Sequence, residues 1–175
     1  LKKHKFEKIN FNFEIKKEFS NFQEITLSYK DLDLVFEKLT TQNIANEIYI
    51  NGKFSNKNLI IKESFFQEFI NNDNLKIKKI DINSKNTFSF KIDKSFKIKD
   101  LNIKSKIKLN EVDLLNTFSL KSFFPKIKDQ ISFSNHDLQI DYNNDKFKIK
   151  GKGDILLQNN NDQVEYTIFK ENKKI

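Results

Sequence analysis

The sequence predicts an all-β protein: an extended, antiparallel, twisted sheet whose apolar side forms a groove, with one short helix. Three observations predict this class. Apolar and polar residues alternate with a period of two along most of the chain, β-branched and aromatic residues fill the apolar positions, and Asn and Asp clusters separate successive runs. Long helical patterns do not alternate with these runs, so we expect successive hairpins in a single module spanning residues 1–175.

The alternating runs give the strands in chain order. In the first run, Asn or Glu separates four apolar residues that therefore share one face: Ile9, Phe11, Phe13 and Ile15. Each later run also predicts a strand: Ile25–Tyr29, Ile48–Ile50, Phe88–Ile92, Ile107–Leu109, Ile131–Phe133, Leu138–Tyr142, Phe147–Ile149 and Val164–Ile168. Turns are predicted at Asn51-Gly52, Asn71–Asn74, Asn143–Asp145 and Asn159–Asp162.

Two runs change parity partway along. Apolar residues stand at odd positions up to Ile77 and at even positions from Ile80, while a second run changes from even positions at Ile98 to odd positions at Leu101. One extra residue in each strand would keep all these side chains on the same face. We therefore predict β-bulges near Lys78-Lys79 and near Lys99-Asp100.

Three segments depart from plain alternation. A helix is predicted from about Glu63 to Asn71, because Phe and Ile recur there at helical spacing and Ser64 with Gln67 forms a capping box. Leu32–Thr41 fits both a strand and a helix, and we favour a strand. Ser122–Gln130, which contains the only proline, is predicted to be a connection or a helical turn.

The composition excludes several classes of chemistry. There is no Cys, and the only histidines are His4 and His136, so we expect no metal site and no cofactor. His136 is interpreted as a turn residue at the start of a strand. Standard nucleophile, zinc and nucleotide motifs are missing, so we expect no catalytic residues and no enzymatic activity.

The charge is basic, with 32 Lys+Arg against 24 Asp+Glu, and every basic residue is a lysine. Specific readout of nucleic acid relies on the bidentate guanidinium, so no specific nucleic-acid partner is expected. Three glycines are predicted to be structural: Gly52, Gly151 and Gly153. For Gly151 and Gly153 we expect a bulge or close sheet packing rather than a phosphate-binding loop.

The 19 Phe residues suggest a sheet with an apolar face that is incompletely covered. Such a face would hold acyl chains, and nine positions are candidates for lipid contact: Ile9, Phe11, Phe13, Ile15, Phe88, Phe90, Ile92, Phe147 and Ile149. Two alternatives stay open at this point. The same residues fit the closed core of a structural or adhesion-type β domain without a lipid ligand, and the lysine-rich faces fit electrostatic binding to anionic surfaces.

Three stretches near the C-terminal end carry a recognisable pattern: Ser134–Tyr142, then Phe147–Ile155 with its I-x-G-x-G-x-I strand, then Val164–Ile168 with Y-x-I. This pattern resembles the AsmA-like superfamily of Gram-negative envelope proteins, especially its large YhdP-type members. The stretch from Ile48 to Phe54 looks like a weaker version of the same glycine strand.

The resemblance implies a segment of a long periplasmic β-sheet groove that carries phospholipid between the inner and outer membranes. It implies an inner-membrane anchor in a flanking region, phospholipid acyl chains as partners, and neither catalytic residues nor a cofactor. The first residue is Leu1 rather than Met, so we expect a fragment or a processed product of a longer AsmA-like protein.

Overall fold

The computed structural model describes residues 7–29, 32–63, 76–115, 121 and 125–171. These residues form nine strands: β1 (Glu7–Lys16), β2 (Phe19–Tyr29), β3 (Leu32–Ile44), β4 (Glu47–Lys62), β5 (Lys76–Ile92), β6 (Ile98–Leu115), β7 (Gln130–Asn143), β8 (Lys146–Leu156) and β9 (Asn161–Glu171). Every pair is antiparallel, and the strands lie in chain order in one sheet. The predicted all-β, antiparallel class is confirmed.

The sheet is a single open layer. Within the described ranges each strand contacts only its neighbours in the chain, so the edge strands β1 and β9 do not meet and the sheet does not close into a barrel. The accessible surface is 13060 Å², whereas a compact chain of 20.9 kDa exposes about 9,000 Å². This excess is expected when a sheet is not packed against a second layer.

The strands are longer than the sequence runs suggest, because neighbouring runs join. Strand lengths range from 10 to 18 residues. The runs around Phe133 and Leu138 both belong to β7, and the ambiguous segment from Leu32 to Thr41 is the strand β3. The turn predicted at Asn51-Gly52 is wrong, since both residues lie inside β4, where Gly52 makes room for a ring from β5.

Both predicted bulges are confirmed. Ile77 and Lys79 of β5 oppose the adjacent residues Leu114 and Asp113, which leaves Lys78 as the extra residue, and Asp100 occupies the second bulge with a φ of 52°. Further bulges with positive φ occur at Lys8, Glu24, Asn58 and Asn135. Because each bulge restores the parity of its strand, the apolar side chains stay on one side of the sheet.

The two ends of the strands differ. At one end, which we call the short-turn end, the connections are short: residues 17–18, 45–46, 93–97 and 144–145. The opposite end, the loop end, carries the β4–β5 and β6–β7 connections. Apart from Glu63, the predicted helix from Glu63 to Asn71 lies outside the described residues. The described part of the β6–β7 connection contains a turn at Pro125 and leads into β7, as predicted.

The deepest apolar burial lies near the loop end. Five of the buried residues are at strand ends there or in the segment that precedes β7: Tyr29, Leu32, Ile77, Ile127 and Ile131. The Lys128 backbone N–H donates a 2.9 Å hydrogen bond to the Leu157 carbonyl, which ties that segment to the β8–β9 turn. None of the described residues forms a helix long and apolar enough to cross a membrane.

Candidate functional site

The register of the sheet places most apolar residues of the nine strands on one side, with exceptions such as Val35, Ile60 and Phe169. Directly opposed residues of neighbouring strands point to the same side of a sheet. One row of opposed residues crosses eight strands: Phe13, Phe22, Leu39, Gly52, Phe88, Ile103, Tyr142 and Phe147. We call this side the apolar face and the opposite side the polar face.

All nine predicted lipid-contact residues lie on the apolar face. Phe13, Phe88 and Phe147 belong to the row just described, and the other six are reached from these three by two-residue steps along β1, β5 and β8: Ile9, Phe11, Ile15, Phe90, Ile92 and Ile149. They do not form one compact cluster, because β1, β5 and β8 are separated by other strands. They are parts of one broad surface.

Among the described residues, aromatic rings form three clusters on the apolar face. In the first, the Phe22 ring centroid lies 5.7 Å from Phe11 and 6.4 Å from Phe13. The second crosses β3, β4 and β5, with centroid separations of 5.2, 6.2 and 6.0 Å along the series Phe36, Phe54, Phe88 and Phe90. The third joins β7 to β9 through Phe133, His136 and Tyr166. These spacings are within the range in which rings attract one another.

Each of the three predicted structural glycines lies under an aromatic side chain. A Cβ atom added to Gly52 would stand 2.1 Å from Cζ of Phe88, and one added to Gly151 would stand 2.3 Å from Cζ of Tyr166. At Gly153 the nearest atom would be Nδ1 of His136, at 2.3 Å. None of these glycines has a positive φ, so close packing explains them rather than backbone geometry.

A polar strip interrupts the apolar face in the middle of the sheet, and sequence reasoning missed it. Asn86 donates to the Ser84 hydroxyl at 2.9 Å, and Asn56 contacts the same hydroxyl at 3.4 Å. Ser84 and Asn86 are each only 6% exposed. Their positions within the alternation of β5, in step with Ile82 and Phe88, were the signal that could have placed them on this face.

His136 is buried in the interior of β7 rather than in a turn, which corrects the prediction from the sequence. Its side chain is 1% exposed, and Nδ1 lies 3.1 Å from the Ser134 carbonyl, to which it donates if the proton is on that nitrogen. The bulge at Asn135 explains the error, since an Asn before an alternating run also marks a turn. The neighbouring Tyr166 has a pKa raised above its usual 10.0 because burial disfavours the charged phenolate.

The apolar face is most exposed along β1. Phe11 and Phe13 are 47% and 63% exposed, although their neighbours across the strand pair are partly buried. Candidates on inner strands, such as Phe88 and Phe147, are half-buried by flanking side chains of the same layer. The face therefore offers an apolar surface that another molecule can contact without displacing any described part of the chain.

The charged side chains near the polar face and the short-turn end form surface ion pairs. Lys53 hydrogen-bonds Glu37 and thereby lowers the pKa of that carboxyl, while Lys91 pairs with Asp100 at 2.6 Å, which raises the lysine pKa. Within the described ranges no group of three His, Asp or Glu side chains converges to hold a metal ion.

No family model matches this chain, and no curated protein or solved structure matches it either. The resemblance to AsmA-like proteins rests on the short motifs quoted above, in Ser134–Tyr142, Phe147–Ile155, Val164–Ile168 and, more weakly, Ile48–Phe54.

Proposed function

We propose that this protein binds lipid acyl chains along its apolar face and acts as a non-enzymatic lipid carrier. The observation that carries the proposal is that one side of an open nine-stranded sheet is lined by Phe, Ile and Leu, and no described part of the chain forms a second layer over it. Monomeric soluble proteins rarely expose apolar patches of this extent unless the patch binds something.

The dimensions suit an acyl chain. Eight spaces of about 4.8 Å separate nine strands, so the face is about 38 Å wide, compared with about 15 Å for the hydrocarbon of one leaflet. Each buried methylene contributes about 0.8 kcal/mol, so eight methylenes contribute about 6 kcal/mol before the entropy cost of association is subtracted. The exposed side chains of Phe11, Phe13 and Ile15 on β1 leave room for that contact.

The finer part of the proposal is that the lipid is a phospholipid and that the carrier works in the periplasm, between the inner and outer membranes. The support for it is the AsmA-like glycine strand from Phe147 to Ile155, which lies in the sheet as β8. In this proposal a flanking region anchors the protein at the inner membrane. The acyl chains contact the apolar face, and no cofactor takes part.

The alternative, a closed structural or adhesion-type domain, requires a layer over the apolar face. The described residues supply none, and the exposure of Phe11 and Phe13 on β1 favours the open form. We therefore rank lipid binding above the closed domain.

The test uses charged substitutions on the two faces of the same strands. Phe13→Asp and Phe90→Asp place a carboxylate on the apolar face, while Asn12→Asp and Ser89→Asp place the same charge one residue away on the polar face. Each purified variant is incubated with phosphatidylethanolamine and phosphatidylglycerol vesicles, re-isolated, and its lipid is extracted and quantified by mass spectrometry. We expect lipid to be retained by the wild type and by both controls, and lost from both apolar-face variants.

Circular dichroism on all four variants checks that the sheet is retained. Phe13 is at an exposed edge, so its variant keeps the fold even if the Phe90 variant is destabilised. Lipid-free wild-type protein after incubation, or equal retention by Phe13→Asp and Asn12→Asp, would refute lipid binding on this face.

A further inference from the structure

The polar face carries a continuous trough over β3 to β7. Three cavities of about 480, 310 and 560 Å³ follow one another along the strands. The first and second share Lys53, Thr87 and Lys104, and the second and third share Lys85, Lys106 and Gln139. Along β6 the trough runs from Asn102 to Lys108, which is about 20 Å at about 3.4 Å per residue.

The trough is strongly basic. It is lined by seven lysines, and its two acidic residues, Asp137 and Asp141, both lie on β7 at one side. No acidic residue of the central strands β4, β5 and β6 lines it. The seven lysines are Lys38, Lys53, Lys57, Lys85, Lys104, Lys106 and Lys108.

The sheet register brings like charges directly opposite one another in this trough. Lys38 opposes Lys53 across β3 and β4, and Lys85 opposes Lys106 across β5 and β6. Directly opposed like charges destabilise a sheet. Glu37 pairs with Lys53 and also attracts Lys85, whereas the residues that directly oppose Lys106 are Lys85 and Gln139.

We propose that this trough binds a linear polyanion that bears phosphate groups along its length and lies parallel to β6. On β6, Lys104, Lys106 and Lys108 repeat at two-residue steps of about 6.8 Å. Asp141 and Asp137 oppose Lys104 and Lys108, whereas Lys106 stands between Lys85 and Gln139. Hydroxyl and amide groups on the neighbouring strands, such as those of Thr87 and Gln139, can donate hydrogen bonds to phosphate oxygens. Lysine is a mobile point charge, so binding depends on charge and spacing rather than on sequence.

A flexible chain that bears phosphates suits this surface better than a flat bilayer, because it can follow lysines that lie in three successive recesses along the strands. The trough is on the side of the sheet opposite the apolar face, and Phe88 is the one lipid-contact candidate that also borders it. Binding of a polyanion is therefore independent of the proposed lipid binding.

The experiment titrates the full chain with fluorescently labelled inorganic polyphosphate at a series of NaCl concentrations. The logarithm of the affinity should fall linearly with the logarithm of the salt concentration, because counterions are released when lysines neutralise the phosphates. The double variant Lys85→Gln with Lys106→Gln should reduce the magnitude of that slope by about 1.5. Each lost phosphate contact lowers it by about 0.7–0.9. The control, Lys94→Gln with Lys97→Gln in the β5–β6 turn, removes the same charge outside the trough and should leave the slope unchanged.

Equal loss in the two double variants would overturn the proposal, because the binding would then follow net charge and not the trough. Binding to phosphatidylglycerol vesicles that depends on Lys85 and Lys106, without binding to polyphosphate, would also overturn it in favour of a membrane surface. Phe13→Asp should retain polyphosphate binding, so failure of the lipid proposal and failure of this one give different results.

Discussion

Gly52→Ala tests how the apolar face is packed, because it adds a single methyl group beneath one ring. The new Cβ would stand 2.1 Å from Cζ and 2.3 Å from Cε1 of Phe88, whereas unstrained carbon atoms are separated by about 3.5 Å or more. The ring must move by more than an ångström and disturb its contacts with Phe54 and Phe90.

The expected destabilisation follows from two opposing terms. Overpacking of this kind costs about 1–3 kcal/mol. Alanine loses less backbone entropy than glycine on folding, which returns about 0.5–1 kcal/mol. The free energy of unfolding should fall by about 0–2.5 kcal/mol, measured by urea unfolding followed by circular dichroism.

A double-mutant cycle identifies the cause. With the ring removed by Phe88→Ala, Gly52→Ala should become neutral or slightly stabilising, a coupling of about 1–3 kcal/mol. Gly153→Ala is the contrasting case, since its Cβ would also stand 2.6 Å from the backbone Cα of His136, and His136→Ala should not rescue it. The packing explanation is wrong if Gly52→Ala has the same cost with and without the Phe88 ring.

Three further predictions concern the bulges, the trough and the third aromatic cluster. Lys8→Gly should stabilise the fold by about 0.5–1 kcal/mol because residue 8 has a φ of 50°, whereas Asn10→Gly in the same strand should destabilise; opposite signs in urea unfolding are the expected result. Lys106→Glu should raise stability by about 0.2–1 kcal/mol by turning an opposed Lys pair into an ion pair with Lys85, while weakening polyphosphate binding; a drop in both would contradict this account. The pKa of Tyr166 is raised in the folded state, so its contribution to stability is present below the unfolded pKa near 10.0 and is lost as pH rises beyond it; Tyr166→Phe should lose less stability than the wild type between pH 9 and 12 in pH-dependent unfolding.

Alternation was sufficient to predict the strands and the class of fold, because one side of each strand is apolar and the other is polar. The shift in parity at Ile77 and Ile80 revealed a bulge that is present in β5, and the same reasoning located the bulge at Asp100. The bulge at Asn135 escaped notice. Asn, Ser and His around it are equally typical of a turn, so a single long strand was divided into two.

The candidate site depends on the pairing of strands, which alternation within each strand does not predict. Alternation within β1, β5 and β8 identified apolar positions, but only the register shows that Phe13, Phe88 and Phe147 belong to the same row. The trough was also beyond prediction, because Lys85 and Lys106 are opposed only after β5 and β6 pair. Short polar residues such as Ser84 interrupted the pattern and were not assigned to the apolar face.

The meander order has a consequence for how this molecule forms and changes. Since each strand finds its partner beside it in the chain, the structure can assemble and melt one hairpin at a time from either margin, much as a repeat protein does. Most closures span short turns and have a small entropy cost, while the longer β4–β5 and β6–β7 connections cost more entropy to close. Gain or loss of one hairpin would change the width of the sheet by about 10 Å while the remaining strand pairings persist. The extent of the apolar face is therefore set by the number of hairpins.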